Sequence, residues 1–311
     1  MTIDLTDTTT GKINAALTDA RHRMGGPATG MVLNLIIVTD EASQYDAMRA
    51  ASQASREHPC RVLGVISRSP RAESRLDAEV RVAENGPGET VLLRLYGPVI
   101  EHADSVVEPL LVLDIPALTW WPGPGPAVPS AHPLGAVAQR RVTDAAADSD
   151  PLRALATLAA SYRPGDTDLS WTRATPWRSL LAAILDQPHD AITGGLVAAE
   201  DGNPSAALIA AWLAAKLDVP VRSVPSSGPG ITEVQFQTTT GDIAITRPDG
   251  RMATLSRPDQ PDRRVALHRR DSTDLLSEEL RRLDPDEVYA ESIEGFAAGS
   301  VSAAAGERPG Q

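Results

Sequence analysis

The sequence predicts an α/β fold. An N-terminal, doubly wound, mostly parallel sheet of Rossmann-like type precedes a smaller α+β domain with an antiparallel meander. Three observations predict this. Met31–Val38 is an almost continuous apolar and β-branched run, as in strands that are buried on both faces. Strand-like runs then alternate with helical segments, which is typical of parallel sheets. Beyond Val219, short strands follow one another and are separated by turns rich in Gly and Asp.

The elements of the first domain follow from hydrophobic periodicity and from turn residues. Thr8–Thr10 offers a cap for a helix that continues to Arg23, and Gly25-Gly26-Pro27 would end it. Gly97-Pro98 opens a helix that we expect to reach about Leu113. The other expected strands are Cys60–Ile66, Leu76–Val82, Thr90–Tyr96, Ala117–Trp121 and Arg140–Thr143, and the other expected helices are Glu41–Glu57 and Pro151–Tyr162. Alternatively, Leu76–Tyr96 forms a local antiparallel hairpin around the turn Asn85–Gly88.

A domain break is predicted at Arg163–Asp166, where Pro and Gly adjoin. The predicted domains therefore cover residues 1–165 and 166–297, and the small, polar tail over 298–311 is expected to be disordered. The second domain begins with a helix at Trp171–Leu185, for which Asp168 is a candidate cap. Its further elements are predicted as strand Ala191–Ala198, helix Pro204–Leu217, strands Val221–Val224, Ile231–Gln237, Ile243–Arg247, Met252–Ser256 and Arg264–Leu267, and helices Ser272–Leu283 and Asp286–Phe296.

The charge balance excludes some classes of partner. The formal net charge is −12, from 41 acidic and 29 basic side chains, so neither nucleic acid nor an anionic membrane is a natural partner. The apolar run around Leu33–Val38 is too short to span a membrane, and Met1–Thr10 lacks the apolar stretch of a secretion signal. We therefore expect a protein of the cytoplasm.

Signatures of nucleotide and metal cofactors are absent from the sequence. No Gly-x-Gly-x-x-Gly follows the first buried strand, no Walker-type loop occurs, and the histidines lack metal-binding spacing. We therefore expect no cofactor and no metal. Asp40 and Asp144 nevertheless each follow a predicted strand, and with Arg94 they could line a ligand crevice at the strand ends. The alternative, which we favour, is that both carboxylates form turns or cap helices.

His58 and Cys60 form the pair that most resembles a catalytic couple. A reactive cysteine needs a thiolate that a nearby base activates. Cys60, however, stands at the start of a predicted strand, where an unpaired Cys commonly serves as a small buried hydrophobe. We favour this structural interpretation over that of a hydrolase, and no catalytic residue is assigned.

Tryptophan and arginine concentrate in short motifs that suit the binding of a protein partner. Trp and Arg dominate the residues that contribute most to protein–protein affinity. The candidates for partner binding are Trp120, Trp121, Arg173, Trp177 and Arg178. Alternatively, Trp is simply a large core residue, which we expect for at least two of the five. On a single helix, Trp171 and Trp177 would lie on different faces, one buried and one exposed.

A series of motifs along nearly the whole chain resembles the OpcA family, the glucose-6-phosphate dehydrogenase assembly proteins of actinobacteria. Each motif alone is weak, whereas their joint order is specific. The motifs are Ser55–Val62, Arg94–Pro98, Trp120–Gly123, Gln139–Asp144, Pro164–Arg173 with Pro176–Arg178, Arg247–Gly250, Asp259–Val265 and Glu279–Tyr289.

The resemblance implies a non-enzymatic protein that binds glucose-6-phosphate dehydrogenase. Such a protein would promote the active oligomer of that enzyme, in the oxidative pentose phosphate pathway, as an assembly factor or allosteric activator. The missing cofactor and catalytic motifs agree with this expectation. The alternative is a degenerate enzyme that senses a small molecule in the crevice near Asp40 and Asp144.

Overall fold

The computed structural model describes residues 1–24, 30–82, 88–299 and the backbone of 301–303. Three predicted features therefore lie wholly or mostly outside the described residues: the helix stop at Gly25-Gly26-Pro27, the turn Asn85–Gly88, and the tail after Gly299. The chain forms two compact units. The first contains residues 1–147, 163–167 and 271–285, and the second contains residues 148–162, 168–270 and 286–311. Each unit encloses a hydrophobic core of its own.

The helices and strands alternate along the chain much as the sequence predicts. The strands are β1 Thr2–Leu5, β2 Leu33–Thr39, β3 Cys60–Ser67, β4 Arg75–Val82, β5 Glu89–Tyr96, β6 Ala117–Trp120, β7 Arg140–Thr143, β8 Asp166–Asp168, β9 Ile192–Ala199, β10 Val221–Pro225, β11 Ile231–Thr238, β12 Ile243–Thr246, β13 Met252–Arg257, β14 Gln260–Ala266 and β15 Val301–Ala303. The helices are α1 Thr10–Met24, α2 Gln44–Ala54, α3 Ala103–Val107, α4 Pro133–Ala136, α5 Pro151–Ser161, α6 Leu169–Arg173, α7 Thr175–Leu185, α8 Pro204–Leu217, α9 Ser272–Leu280 and α10 Glu287–Ala297.

The first unit is built on a mostly parallel sheet with the strand order β1-β4-β5-β3-β2-β6-β7-β8. Strands β5, β3, β2, β6 and β7 run parallel, whereas β4 pairs antiparallel with β5, and β1 with β4. The centre of the sheet is apolar because β2 and β3 are covered on both faces: Leu35, Ile36 and Leu63 are fully buried. The mostly parallel sheet of the first unit and the largely antiparallel sheet of the second confirm the predicted fold class. The antiparallel pairing of β4 and β5 confirms the alternative of a hairpin at Leu76–Tyr96.

The predicted helix from Gly97 to Leu113 is broken into short pieces. A 3-10 turn covers Gly97–His102, α3 follows, and a second 3-10 turn covers Glu108–Leu110. Pro109 provides the physical reason, since it has no N–H to donate to the preceding helical turn. Gly97 has φ +62, and a Cβ placed on it would lie 2.4 Å from the carbonyl oxygen of Ala72, so no larger residue fits there.

Three buried ion pairs hold distant segments in the first unit. Glu89 receives the guanidinium of Arg61, with Nη2 2.6 Å from Oε2. Arg140 binds Glu279, with Nη2 2.6 Å from Oε2, and also donates to the carbonyl of Asp284 at 2.7 Å. Arg141 pairs with Asp166. The pair of Arg140 and Glu279 attaches residues 271–285 to the first unit, and the pair of Arg141 and Asp166 attaches residues 163–167. Residues of the second unit precede both segments in the sequence.

The second unit contains a mostly antiparallel sheet with the order β14-β13-β12-β11-β9-β10-β15. Strands β11 to β14 form the predicted antiparallel meander, and β11 continues it onto β9. β10, which we predicted as the first strand of the meander, instead runs parallel to β9. The intervening helix α8 supplies the crossover that a parallel connection requires.

The core of the second unit lies where the helices cover this sheet. Phe236, Val234 and Ile209 are buried there, and α8 packs against β9, β10 and α10. The predicted helix Trp171–Leu185 is divided at Ala174 into α6 and α7, with Pro176 in the first turn of α7. The change of direction buries both Trp171 and Trp177, so the expectation that one of them would be exposed is wrong.

The bounds of the two units interleave along the chain. Helix α5 belongs to the second unit, where it packs on α8 and α10, and α9 belongs to the first, where it packs on α2. Whether domains with the bounds 1–165 and 166–297 fold independently stays a prediction. No described helix has both the length and the apolar character needed to cross a membrane.

Candidate functional site

A cleft in the second unit gathers more positive charge than any other site that we describe. Its cavity volume is about 70 Å³, and it opens to solvent. Among the described residues, its lining contains four arginines and no Asp or Glu. The lining residues are Arg173, Pro176, Trp177, Asn203, Ser205, Gly230, Ile231, Arg247, His268, Arg269 and Arg270. We call this feature the arginine cleft. Such a local excess of cations is unusual in a chain whose formal net charge is −12.

Arg247 forms the buried wall of the arginine cleft. It follows β12 directly and is only 5% exposed. Its Nη1 donates to the carbonyl oxygen of Leu267 at 3.0 Å, and its Nη2 donates to that of Ile231 at 2.9 Å. The guanidinium carbon lies 4.9 Å from the ring centroid of Trp177. Two main-chain carbonyls and an aromatic ring therefore fix this cation in one orientation.

The charge of Arg247 is not neutralised by the groups that hold it. Burial lowers the pKa of its guanidinium to about 10, nearby Arg269 lowers the pKa further, and Asp249 opposes the shift. The side chain therefore still carries its charge at neutral pH. Its Nε is buried and has no hydrogen-bond partner among the described residues. A buried donor on a cation without a partner is costly unless something else binds it.

Gly230 lets two arginines approach the same stretch of backbone. It has φ +66, a left-handed conformation that favours glycine. A Cβ built on it would lie 3.6 Å from Nη2 of Arg247 and 3.9 Å from Nε of Arg269. The two guanidinium groups thus lie close to each other, and their mutual repulsion contributes to the lowered pKa of Arg247.

The N-terminus of α8 forms another part of the arginine cleft. Asn203 caps this helix by accepting a hydrogen bond from the main-chain N–H of Ala206 at 2.9 Å. Pro204 and the buried Ser205 occupy the first turn. The first turn of a helix carries partial positive charge, and α8 has 14 residues. Its dipole therefore adds to the charge of the arginines.

Two of the predicted partner-binding residues, Arg173 and Trp177, line the arginine cleft. Arg173 is half-buried at the end of α6, and Trp177 is 2% exposed in α7. Asp168 caps α6 by accepting from the N–H of Ser170 at 2.9 Å, as predicted. The corner between α6 and α7 thus places both residues on this cleft.

Arg178 lies elsewhere in the same unit. Its guanidinium carbon stacks 3.7 Å from the ring centroid of Trp171, and Nη2 donates to Oγ1 of Thr175 at 2.8 Å. Trp171 in turn donates from Nε1 to the Asp286 carboxylate at 3.0 Å, and its ring lies 6.0 Å from that of Tyr289. Arg178 remains half-exposed, so it can still contact a partner.

Trp120 and Trp121 lie in the first unit and are 1% and 3% exposed. The ring of Trp121 meets that of His132 edge to face, with centroids 5.4 Å apart. Burial also lowers the pKa of His132. The described geometry makes both tryptophans core residues, in agreement with the alternative given for Trp. A role in partner binding stays a prediction for all five candidates.

The predicted crevice residues all lie at the carboxyl ends of strands in the first sheet. Asp40 follows β2 and accepts from the N–H of Ser43 at 2.7 Å, a hydrogen bond that lowers the pKa of Asp40. Arg94 in β5 pairs with Glu41, the neighbour of Asp40, at 3.5 Å. Asp144 follows β7, is buried, and accepts from the N–H of Ala146 at 3.2 Å.

These contacts give both aspartates a role in turns, which is the interpretation that we favoured. The strand order places β6 between β2 and β7. Asp40, Arg94 and Asp144 therefore lie on the side of the sheet where the parallel strands have their carboxyl ends. A ligand crevice there stays a prediction.

Cys60 is a buried core residue, as the structural interpretation predicts. It is 0% exposed, and burial raises the pKa of its thiol to about 12. A thiol with this pKa is neutral at physiological pH and does not act as a nucleophile. Groups of His, Cys, Asp and Glu that could hold a metal ion are absent from the residues that the structure describes.

Sequence reasoning missed Arg247, Arg269 and Ser205 as site residues. A signal was present in the motif Arg247–Gly250, where an arginine precedes a Pro-Asp-Gly turn directly after a strand. However, the mixed charges of that region suit ordinary solvated turns equally well. Only the fold brings this turn together with the N-terminus of α8 and with Arg173.

Two family models match consecutive parts of the chain. One describes the N-terminal domain of the glucose-6-phosphate dehydrogenase subunit and matches residues 51–160. The other describes the C-terminal domain of the same protein and matches residues 164–293. No curated protein matches the chain.

Solved structures of oxidoreductases show a distant likeness in fold. A 3-ketoreductase from Actinomadura kijaniata, in complex with NADP and TDP-benzene, has 12% sequence identity and a TM-score of 0.48, over 88% of this chain and 99% of that chain. An oxidoreductase from Sinorhizobium meliloti has 9% identity and a TM-score of 0.49, over 87% and 95% of the two chains. An oxidoreductase domain protein from Kribbella flavida has 12% identity and a TM-score of 0.44, over 87% and 97%.

The two family models cover most of the chain in the expected order, and both carry the OpcA name. They also contain all eight motifs in full, from Ser55–Val62 to Glu279–Tyr289. The chain therefore belongs to the OpcA family of glucose-6-phosphate dehydrogenase assembly proteins.

Proposed function

We propose that this protein is a non-enzymatic assembly factor that binds glucose-6-phosphate dehydrogenase and promotes its active oligomer. The observation that carries the proposal is the pair of family models, which both describe domains of a protein associated by name with glucose-6-phosphate dehydrogenase. The inert Cys60 and the structural roles of Asp40 and Asp144 support a function without turnover. We further propose that it acts in the cytoplasm, and its acidic surface disfavours nucleic acid and anionic membranes as partners.

Activation by such a factor requires a difference in affinity between two states of the dehydrogenase. A protein that binds both states equally well shifts no equilibrium, however tightly it binds. We therefore propose that the factor binds the assembled, active oligomer better than the inactive species. Of the predicted partner-binding residues, Arg173 and Arg178 are the two that a partner can reach, because the three tryptophans are buried.

The proposal predicts a complex that can be isolated. The purified chain and purified dehydrogenase are mixed, separated by size-exclusion chromatography with light scattering, and assayed for dehydrogenase activity. We expect co-elution, a shift of the dehydrogenase towards its larger species, and higher activity. Separate elution with unchanged kinetics at micromolar concentrations of both proteins would rule out the proposal.

A matched pair of variants tests whether Arg173 belongs to the contact surface. Arg173→Ala removes a half-exposed guanidinium, whereas Arg222→Ala removes an exposed one from β10. Arginines that anchor protein contacts contribute about 2 kcal/mol or more, so we expect Arg173→Ala to weaken the complex more than tenfold. Arg222→Ala is expected to change the affinity little. Equal affinities of the two variants for the dehydrogenase would show that Arg173 does not belong to the contact surface.

A further inference from the structure

We propose that the arginine cleft is a binding site for a small phosphorylated molecule, whose phosphate group contacts Arg247, Arg269 and the first turn of α8. Nothing in the proposed assembly function requires such a site. The inference therefore goes beyond that function and can be tested on this chain alone.

The unsatisfied cation is the first argument for an anionic ligand. Arg247 is nine-tenths buried, its hydrogen bonds go to main-chain carbonyls, and its Nε has no partner among the described residues. A structural arginine in a protein core usually has a carboxylate partner, as Arg61, Arg140 and Arg141 have in the first unit. We therefore infer that the charge of Arg247 is available to an anionic ligand.

The arrangement of the cations is the second argument. Arg269 lies beside Arg247 over Gly230, and it is exposed at the mouth of the cleft. Two like charges held together repel each other, which lowers the stability of the empty site. A bound anion reverses this effect, since it attracts both guanidinium groups at once.

The N-terminus of α8 makes a phosphate more suitable than a carboxylate. A phosphate dianion has more charge and more acceptor oxygens than a carboxylate. It can therefore accept hydrogen bonds from arginine side chains and from a helix N-terminus simultaneously. The Ser205 side chain lies in the same first turn and is 7% exposed. The guanidinium groups, the hydroxyl and the main-chain N–H groups at the start of the helix together form a set of donors for a tetrahedral anion.

The rest of the cleft indicates that the ligand is more than inorganic phosphate. The cleft is open to solvent, so an organic part attached to the phosphate has room to extend outwards from it. Pro176, Trp177 and Ile231 contribute apolar surface beside the cations. We therefore assign the cleft to phosphate esters with a small organic part, such as a sugar phosphate or a nucleotide, in which the organic part contacts these three side chains.

The test is isothermal titration calorimetry of the full chain with inorganic phosphate, at constant ionic strength maintained with chloride. Wild type is compared with Arg269→Gln, Arg269→Lys and the control Arg264→Gln. The control removes an exposed arginine from β14, outside the cleft. We expect one site in wild type and in Arg264→Gln. Loss of one charge-assisted hydrogen bond should weaken binding by Arg269→Gln at least about tenfold. Arg269→Lys should retain most of the affinity.

Two outcomes would overturn the proposal. In the first, wild type shows no binding of phosphate at about 10 mM, a concentration at which even a weak site of millimolar Kd is occupied. In the second, Arg269→Gln binds phosphate as tightly as Arg264→Gln does, which would place the ion elsewhere. Circular dichroism of each variant confirms that the fold is retained, and Arg269 is suited to this because it is exposed.

A second arm distinguishes the phosphate ester from the free ion and from a protein carboxylate. Glucose 6-phosphate, adenosine monophosphate and acetate are titrated under the same conditions. Tighter binding of one ester than of inorganic phosphate supports the apolar contacts. Binding of acetate that equals binding of phosphate would overturn the assignment to phosphate and would indicate a site for an acidic side chain. Because the dehydrogenase is absent from these titrations, they are independent of the assembly function.

Discussion

At the scale of single residues, arginine performs two different tasks in this protein. Arg61, Arg140 and Arg141 are buried beside carboxylates and join segments of the first unit. Arg247 is equally buried, but main-chain carbonyls and an aromatic ring hold it. The first group is structural because its charge is neutralised in place. The second residue presents its charge to a cleft, so burial alone does not distinguish a structural arginine from one that binds a ligand.

The ion pair between Arg140 and Glu279 gives a prediction about stability. Glu279→Ala leaves a guanidinium that is 3% exposed without its carboxylate, which is expected to cost about 3–5 kcal/mol. Urea unfolding of the full chain, followed by circular dichroism, measures the change in the free energy of unfolding.

The control for this prediction lies on the same segment. Arg281 and Glu57 form an exposed pair, with side chains 62% and 58% exposed, so Arg281→Ala is expected to change stability by less than about 1 kcal/mol. If the two variants were equally stable, the Arg140–Glu279 pair would not hold the segment in place.

At the scale of helices and strands, caps determine where several elements begin. Asp286 caps α10 by accepting from the N–H groups of Val288 and Tyr289, both at 3.0 Å. It also accepts from the indole of Trp171, so one carboxylate links α10 to α6. Asp150 caps α5 through a single hydrogen bond, to the N–H of Arg153 at 3.2 Å.

These two caps allow a matched comparison within one unit. Asp150→Ala removes only a helix cap and is expected to cost about 1 kcal/mol. Asp286→Ala also leaves a buried indole N–H without its acceptor, so we expect a loss of about 2–3 kcal/mol. Asp286→Asn should recover much of the difference because its amide oxygen can still accept. Thermal unfolding of the three variants measures the ranking of their stability losses. An equal loss for both alanine variants would contradict the expected ranking.

Most helices and strands could be predicted from the sequence, and those that were not predicted were missed for physical reasons. The buried strands β2 and β3 are evident because most of their residues are apolar, and α8 because Asn203 and Pro204 mark its start. The strand β1 was missed, since it lies at the edge of the sheet and alternates exposed with half-buried residues. Local propensity also did not reveal that β10 pairs with β9, because that pairing depends on the crossover through α8.

The candidate site was less predictable than the fold. Trp and Arg are enriched both in protein contacts and in cores, so composition could not separate the buried Trp120 and Trp121 from accessible residues. The arginine cleft combines residues from five separate parts of the second unit, from Arg173 to Arg270. Its charge arises from their proximity in space, which no spacing along the chain encodes.

At the scale of the whole molecule, the chain passes repeatedly between its two units. The first unit is completed by residues 163–167 and 271–285, and these carry the carboxylate partners of Arg141 and Arg140. The two family models meet near residue 160, close to the break that the sequence predicts. A boundary in the family sequence therefore does not coincide with the bounds of the folded units.

This organisation predicts the behaviour of a fragment. Residues 1–165 contain Arg140 and Arg141 but lack Glu279 and Asp166, so two buried guanidinium groups lose their partners. We expect this fragment to unfold without a cooperative transition, or at a temperature far below that of the full chain. Differential scanning calorimetry of both proteins is the measurement. A fragment with a cooperative transition at the temperature of the full chain would show that residues 1–165 form an independent domain.

The late position of Glu279 also has a consequence for synthesis on the ribosome. The first unit cannot close around Arg140 until Glu279 has been synthesised, long after β7 has been made. Most of the nascent chain therefore emerges before its N-terminal sheet is complete, unlike chains whose domains fold one after another. A message that is cut short anywhere before α9 yields a product with a defect at its N-terminal end.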